Sequence, residues 1–233
     1  MFKNLKKKLL RILPIHYYKI KRWYSQEGED AIIQTYFEDI GMKRKGFYVD
    51  IGAHHPIRFS NTHLLYKSGW KGLNFEPNVS SGRAFKLFRR RDKTVHIGIG
   101  NEECEKDFYV FDEPAINSFD KAVSEDRDKE SPYKLIKVIK IPIMRLETAL
   151  DKYLPKNQKI DLMSIDVEGL DLEVMKSNNW EKYKPNMLLV EDLDFDFENL
   201  QSSEVWNFLK KQDYKIYAKT HRTLVFVSNK IEK

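Results

Sequence analysis

Apolar residues recur along the chain in short runs that end at turn formers, and runs of strand type alternate with runs of helical type. Residues 47–51, opened by Gly46, read as a first strand. Residues 60–67 have helical spacing and stop at Gly69; 71–75 read as a second strand, broken by Pro77. A basic helix over 82–91, a third strand over 94–97, a fourth over 160–165, a helix over 170–176 and a fifth strand over 187–190 follow the same rhythm. Residues 203–211 form a helix capped by Ser202 or Ser203. Residues 215–218 and 223–227 read as a closing antiparallel pair joined through 219–222. Between the third and fourth strands, residues 101–135 are polar and read as an insertion with one short strand at 108–111. An alternating strand over 136–143 and a short helix over 148–153 come after it. The alternation predicts an α/β fold: a mostly parallel sheet covered on both faces, closed by an antiparallel terminal hairpin. There is no internal repeat and no low-complexity linker.

Composition narrows the picture. At 233 residues, 41% hydrophobic and 33% charged, the chain suits one globular domain with a substantial core. No apolar run approaches the ~20 residues of a membrane span. The basic start lacks the apolar stretch and small-residue cleavage site of a signal peptide. The single Cys104 excludes an internal disulfide framework and fits a reducing cytosol. The net charge of +6 first suggests nucleic acid, but residues 1–22 hold eight Lys/Arg and no acid, and the remainder is −2. With Phe2, Leu5, Leu9, Ile12 and Leu13 near helical spacing, 1–22 reads as a basic amphipathic segment. It suits packing by its apolar stripe, an acidic partner, or peripheral contact with an anionic membrane at the cytoplasmic face. Residues 23–233 form the main domain.

Chemistry collects where strands end. Residues 160–169 run from a strand into Asp166, Glu168 and Gly169. Charges are costly to bury without a partner, and open α/β sheets bind ligands at the carboxyl ends of their strands. The first strand ends in Asp50, Ile51, Gly52, Ala53, His54, His55 and Pro56. A dinucleotide fingerprint needs three spaced glycines, and here Gly52 stands alone with a carboxylate before it. An adenosine without phosphates, carrying cations that Asp50 can face, fits better; S-adenosylmethionine is such a ligand. Glu76, at the end of the second strand and 26 residues after Asp50, is placed to hold ribose hydroxyls. Two turn acids capping helices is the plainer alternative.

Four ordered motifs, Tyr24–Asp30, Phe47–Pro56, Arg58–Thr62 and Ser164–Gly169, together resemble FkbM-type methyltransferases. The resemblance runs from about Tyr24 to Val227. It implies a Rossmann-like, seven-stranded S-adenosylmethionine-dependent methyltransferase fold and O-methylation, often of sugars in surface polysaccharides or of natural products. Many members carry His after Val-Glu-Gly where this chain has Leu170, so no role for that His carries over.

On this reading Asp50, Gly52 and Ala53 line the methionine end of the cofactor and Glu76 its ribose. Gln26 and Glu29 fold over the same pocket, as the resemblance implies, and Asn61 reaches the cofactor carboxylate. Each of these three is otherwise a cap or surface group. Asp166 orients the acceptor, acts as base or binds a metal; with Glu191 and Asp192 it forms a candidate Mg²⁺ or Mn²⁺ site. Against that, residues 191–198 hold five acids in eight and read equally as a solvated loop. His54 is a candidate base beside His55, and Glu168 touches substrate or caps the next helix. Arg58 suits an acceptor phosphate. Arg83, Lys86, Arg89, Arg90 and Arg91 read as a solvated face or an anion site. The expected activity is O-methylation of a sugar hydroxyl. A natural-product acceptor, or a non-catalytic cofactor-binding interaction protein, are the alternatives. A nucleic-acid substrate is disfavoured by the near-neutral body and by the lack of an Asn-Pro-Pro-Tyr motif.

Overall fold

Strands buried on both faces must be apolar at nearly every position, and that is why 47–51 and 187–190 are. The computed structural model describes residues 22–230, so the basic amphipathic segment lies, but for Arg22, outside the described residues. In chain order the first elements are α1 (Glu29–Asp39), β1 (Phe47–Ile51), α2 (His63–Lys67), β2 (Lys71–Phe75), α3 (Gly82–Phe88) and β3 (Lys93–Val95). Then come β4 (Gly98–Gly100), β5 (Cys104–Phe111), α4 (Lys121–Glu130), β6 (Leu135–Arg145) and α5 (Leu146–Tyr153). The chain ends with β7 (Leu162–Ile165), α6 (Asp171–Lys176), β8 (Met187–Glu191), α7 (Glu204–Lys211), β9 (Tyr214–Lys219) and β10 (Thr223–Ser228).

Seven strands form one sheet in the order β3-β2-β1-β7-β8-β10-β9, with β10 antiparallel to both neighbours. The expected mostly parallel sheet with an antiparallel terminal hairpin is therefore present. Val49, Ile51, Leu73 and Phe75 pack on one face against α5, α6 and α7. Tyr48, Leu162, Leu189 and Val225 pack on the other against Ile33, Tyr36 and Phe37 of α1. Asp161, fully buried before β7, accepts hydrogen bonds from the Arg44 guanidinium and from Phe47 N at 2.8 Å, which ties β7 to β1 at the end remote from the site.

Besides shifts of a few residues at element ends, the structure departs from the sequence reading in three places. Helix α1 went unread, although Ile33, Tyr36 and Phe37 bury one side of it. The polar insertion holds more than a short strand: β5 runs eight residues, pairs with β6 in a second sheet ordered β4-β6-β5, and is followed by α4. Only Ser124 of α4 is buried, so it has no apolar stripe to detect. The 82–91 helix stops at Phe88, and Arg89 turns inward. Ser203 is the cap of α7, its Oγ accepting from Trp206 N at 3.0 Å. No helix among the described residues is long and apolar enough to cross a membrane.

Candidate active site

The carboxyl ends of β1, β2 and β7 open onto one cleft of about 1060 Å³, counted out to its solvent mouth. Parallel register places Asp50 between Asn74 and Ser164, so the residues just beyond each strand face one another. After β1 the chain must turn sharply under Asp166. Gly52 does this at φ +76°, where a Cβ would lie 1.8 Å from the Asp166 carbonyl oxygen. Gly52 N and Ala53 N both donate to Phe75 O, at 3.0 and 3.2 Å, which fixes the turn to the end of β2.

Glu76 is 5% exposed and takes an amide on each carboxylate oxygen: His54 N at 2.6 Å and Asn78 N at 2.7 Å. Burial pushes its pKa up to about 7, with the two amides pulling it down and Asp50 adding repulsion. Asp50, also buried, accepts from Thr62 Oγ at 2.6 Å; burial raises its pKa while Thr62 and Arg89 oppose the rise. Asn61 does not open α2, which starts at His63; it lines the cleft and donates to Ser164 Oγ at 3.1 Å, joining the β1 loop to β7. His54 lines the cleft at φ +49°, with Nε2 buried and unpartnered. Burial, then His55 and Arg58, lowers its pKa to about 4, so the ring is neutral near pH 7. His55 is structural: its Nδ1 accepts from Ile57 N and Arg58 N. Arg58 is engaged by Glu113 at 3.0 Å rather than free for a phosphate.

Gln26 lines the cleft and Glu29 does not. Glu29 instead accepts from Glu27 N at 2.9 Å and from Thr220 Oγ at 2.8 Å, so it clamps the segment that delivers Gln26 onto the β9–β10 turn. Glu27 takes Arg222 N at 2.9 Å, and Asp30 takes Tyr24 N and Ser25 Oγ, both at 2.7 Å. The motif's acids hold the loop's shape.

Asp166 has surface open to the cleft, yet protein surrounds it. Burial, followed by repulsion from Glu191, Asp171, Glu168 and Asp50, holds its pKa well above the usual carboxylate range. The repulsion acts whether the cleft is filled or empty; the burial contribution grows when a ligand expels the cleft's water. Glu168, at φ +56°, lines the cleft but caps no helix; its Oε2 takes the Arg127 guanidinium at 2.9 Å. The loop is pinned instead by Asp171, whose carboxylate accepts from Val167 N and Gly169 N and whose pKa burial and Glu191 raise to about 7.

The expected metal site is corrected. Among the described residues no group of three or more His, Cys, Asp or Glu is arranged to hold a metal ion. Asp192 is spent on helix capping, accepting from Ser203 Oγ at 2.6 Å, and neither it nor Glu191 lines the cleft.

Sequence reasoning missed two features. The insertion walls the cleft through Phe108, Pro114, Ala115, Asn117, Ser118 and Phe119. It is fastened at both sides by ion pairs, Arg58–Glu113 to the β1 loop and Arg127–Glu168 to the β7 loop. Arg89 is 1% exposed, not part of a solvated face. It pairs with Asp92 at 2.8 Å and donates to Pro56 O, Tyr48 OH and Thr62 Oγ, and so braces the β1 loop and, through Thr62, Asp50. A lone Arg in a basic run carries no sign of this; only the fold brings it under the loop.

A family model described as Methyltransferase FkbM domain matches residues 50–216. No match emerges from comparison with curated protein sequences. Among solved structures the chain is similar to a precorrin-6y C5,15-methyltransferase from Geobacter metallireducens GS-15, at 11% identity and a TM-score of 0.44, covering 85% of this chain and 89% of that one. It is also similar to a putative RNA methyltransferase from Pyrococcus horikoshii, at 10% identity and a TM-score of 0.43, covering 94% and 98%.

Proposed function

The chain belongs to the FkbM methyltransferase family, and from that premise we propose that it is an O-methyltransferase acting on a sugar hydroxyl, in a nucleotide sugar or a surface glycan. S-adenosylmethionine is the methyl donor the family implies. One observation carries the reading: Asp50, Glu76 and Asp166 converge on a single cleft from the ends of three adjacent parallel strands.

The donor set fits that cofactor. Glu76 is an enclosed acceptor at the end of β2 for two ribose hydroxyls, with Pro77 and Ile97 as apolar walls for an adenine. Asp50 offers negative charge to an ammonium, and the amides of Gln26 and Asn61 suit a carboxylate. Bound there, S-adenosylmethionine supplies an electrophilic methyl carbon on a sulfonium. The rest falls to the chain's own groups. Asp166 takes the proton of the acceptor hydroxyl, and a pKa held above the usual carboxylate range makes it a better base than an ordinary carboxylate. His54 lines the same cleft and is neutral near pH 7, so its ring adds no positive charge beside the acceptor. Phe59 and Leu170 give an apolar wall to a sugar ring. The insertion limits water in the cleft and thereby strengthens each of these contacts.

Mass spectrometry of a nucleotide-sugar panel incubated with S-adenosylmethionine tests the reading. One added methyl on a sugar hydroxyl is expected, and Asp166→Ala is expected to abolish it while remaining folded. Methylation confined to non-sugar acceptors, or full activity in Asp166→Ala, would overturn it.

A further inference from the structure

Helix α3 has a face that the described residues leave uncovered. Val79, Leu87 and Phe88 are 58%, 57% and 47% exposed. Arg83, Lys86 and Arg90 are exposed too, and no hydrogen bond or ion pair engages their side chains among the described residues. Their neighbours are engaged: Arg89 is buried on Asp92, and Arg91 lies over the Tyr66 ring. Arg83, Lys86 and Leu87 recur at spacings of three and four and so share one side of the helix, with Val79 and Arg90 at its two ends.

Cations alone would suit any polyanion. Large apolar side chains set among unpaired cations suit a narrower partner, one with anionic groups at its surface and hydrocarbon just beneath. The body of the chain outside residues 1–22 has a net charge of −2, so the patch is a local arrangement and not a general excess. Lasting peripheral attachment takes two signals. The eight Lys/Arg and interleaved apolar residues of 1–22 are a second one, written in the sequence.

We propose that this face of α3 docks on an anionic lipid bilayer, with Leu87 and Phe88 entering the acyl boundary and Arg83, Lys86 and Arg90 meeting lipid phosphates. The docking is independent of the acceptor. The test is co-sedimentation of the full chain with phosphatidylcholine vesicles, with and without phosphatidylglycerol. The parent chain should bind only the anionic vesicles. Both Leu87→Ser/Phe88→Ser and Arg83→Glu/Lys86→Glu should lower that binding by about fivefold or more, with unchanged thermal melts because every position is exposed. Leu87→Trp should shift its emission to the blue on those vesicles. Failure of the parent to bind, or both double variants binding as the parent does, overturns the proposal. So does loss of binding in the charge variant alone with no shift in Leu87→Trp, since that pattern belongs to a nucleic acid or another soluble polyanion.

Discussion

Glu76→Gln separates the cofactor-holding role of this carboxylate from its structural one. In the folded chain burial moves its pKa from 4.5 to about 7. At ~1.4 kcal/mol per unit this is worth ~3 kcal/mol. The sign follows from proton uptake: between the two values the folded chain holds a proton that the unfolded chain has released. The group's contribution is thus fully present below pH 4.5 and lost as pH rises through about 7. The variant cannot titrate there, so its stability should fall less over that window. A glutamine also turns its NH₂ toward either His54 N or Asn78 N, leaving a donor facing a donor at a cost of about 1–3 kcal/mol. Ribose hydroxyls donate to the ionised carboxylate, so cofactor binding should tighten as pH rises through about 7 and should release a proton below it. Losing a hydrogen bond to a charged group costs about 1.5–3 kcal/mol, or roughly ten- to a hundredfold in affinity. Calorimetry with S-adenosylhomocysteine, in two buffers of different ionisation enthalpy, reads both the affinity and the released proton. Affinity within about threefold of the parent, with the same pH dependence, would remove Glu76 from the cofactor site.

Further outcomes follow from the same contacts. Arg89→Met leaves Asp92 buried without its partner, which should cost about 3–5 kcal/mol and lower the melting temperature by on the order of 10 °C; a melt within a degree or two of the parent would contradict the bracing role. Gly52→Ala adds a left-handed strain of ~1–2 kcal/mol to a direct clash with Asp166 O. It should abolish cofactor binding in a chain that still folds, as read by calorimetry and circular dichroism together. Arg127→Ala removes a half-exposed ion pair worth only ~0–1 kcal/mol, so its melt should barely move, while limited proteolysis within 112–134 should quicken as the insertion loosens from Glu168.

The parallel core was legible because β1, β2, β7 and β8 are buried at nearly every position and carry short apolar runs, and because acids stand at or just beyond their ends. Asp50, Glu76 and Asp166 could be placed from that order alone. Helix α4 could not, since a helix that buries only Ser124 leaves no periodic trace. Glu29 was misplaced for a related reason. A motif shows which residues travel together but not which of them face the ligand, and here the acids shape the loop while Gln26 faces the cleft. The Asp166–Glu191–Asp192 site failed because neighbouring strand ends do not ensure convergence: Asp192 turns to Ser203. Arg89 lay in a basic run whose other members are exposed, and only its contacts with Pro56, Thr62 and Asp92 set it apart.

The central claim is that the cleft holds S-adenosylmethionine with Asp166 on the acceptor side. Calorimetric titration of S-adenosylmethionine into the parent chain and into Asp166→Ala tests it most directly. The account predicts saturable binding by both, with affinities within about fivefold of each other. Absence of binding by the parent, or its loss in Asp166→Ala, would contradict it.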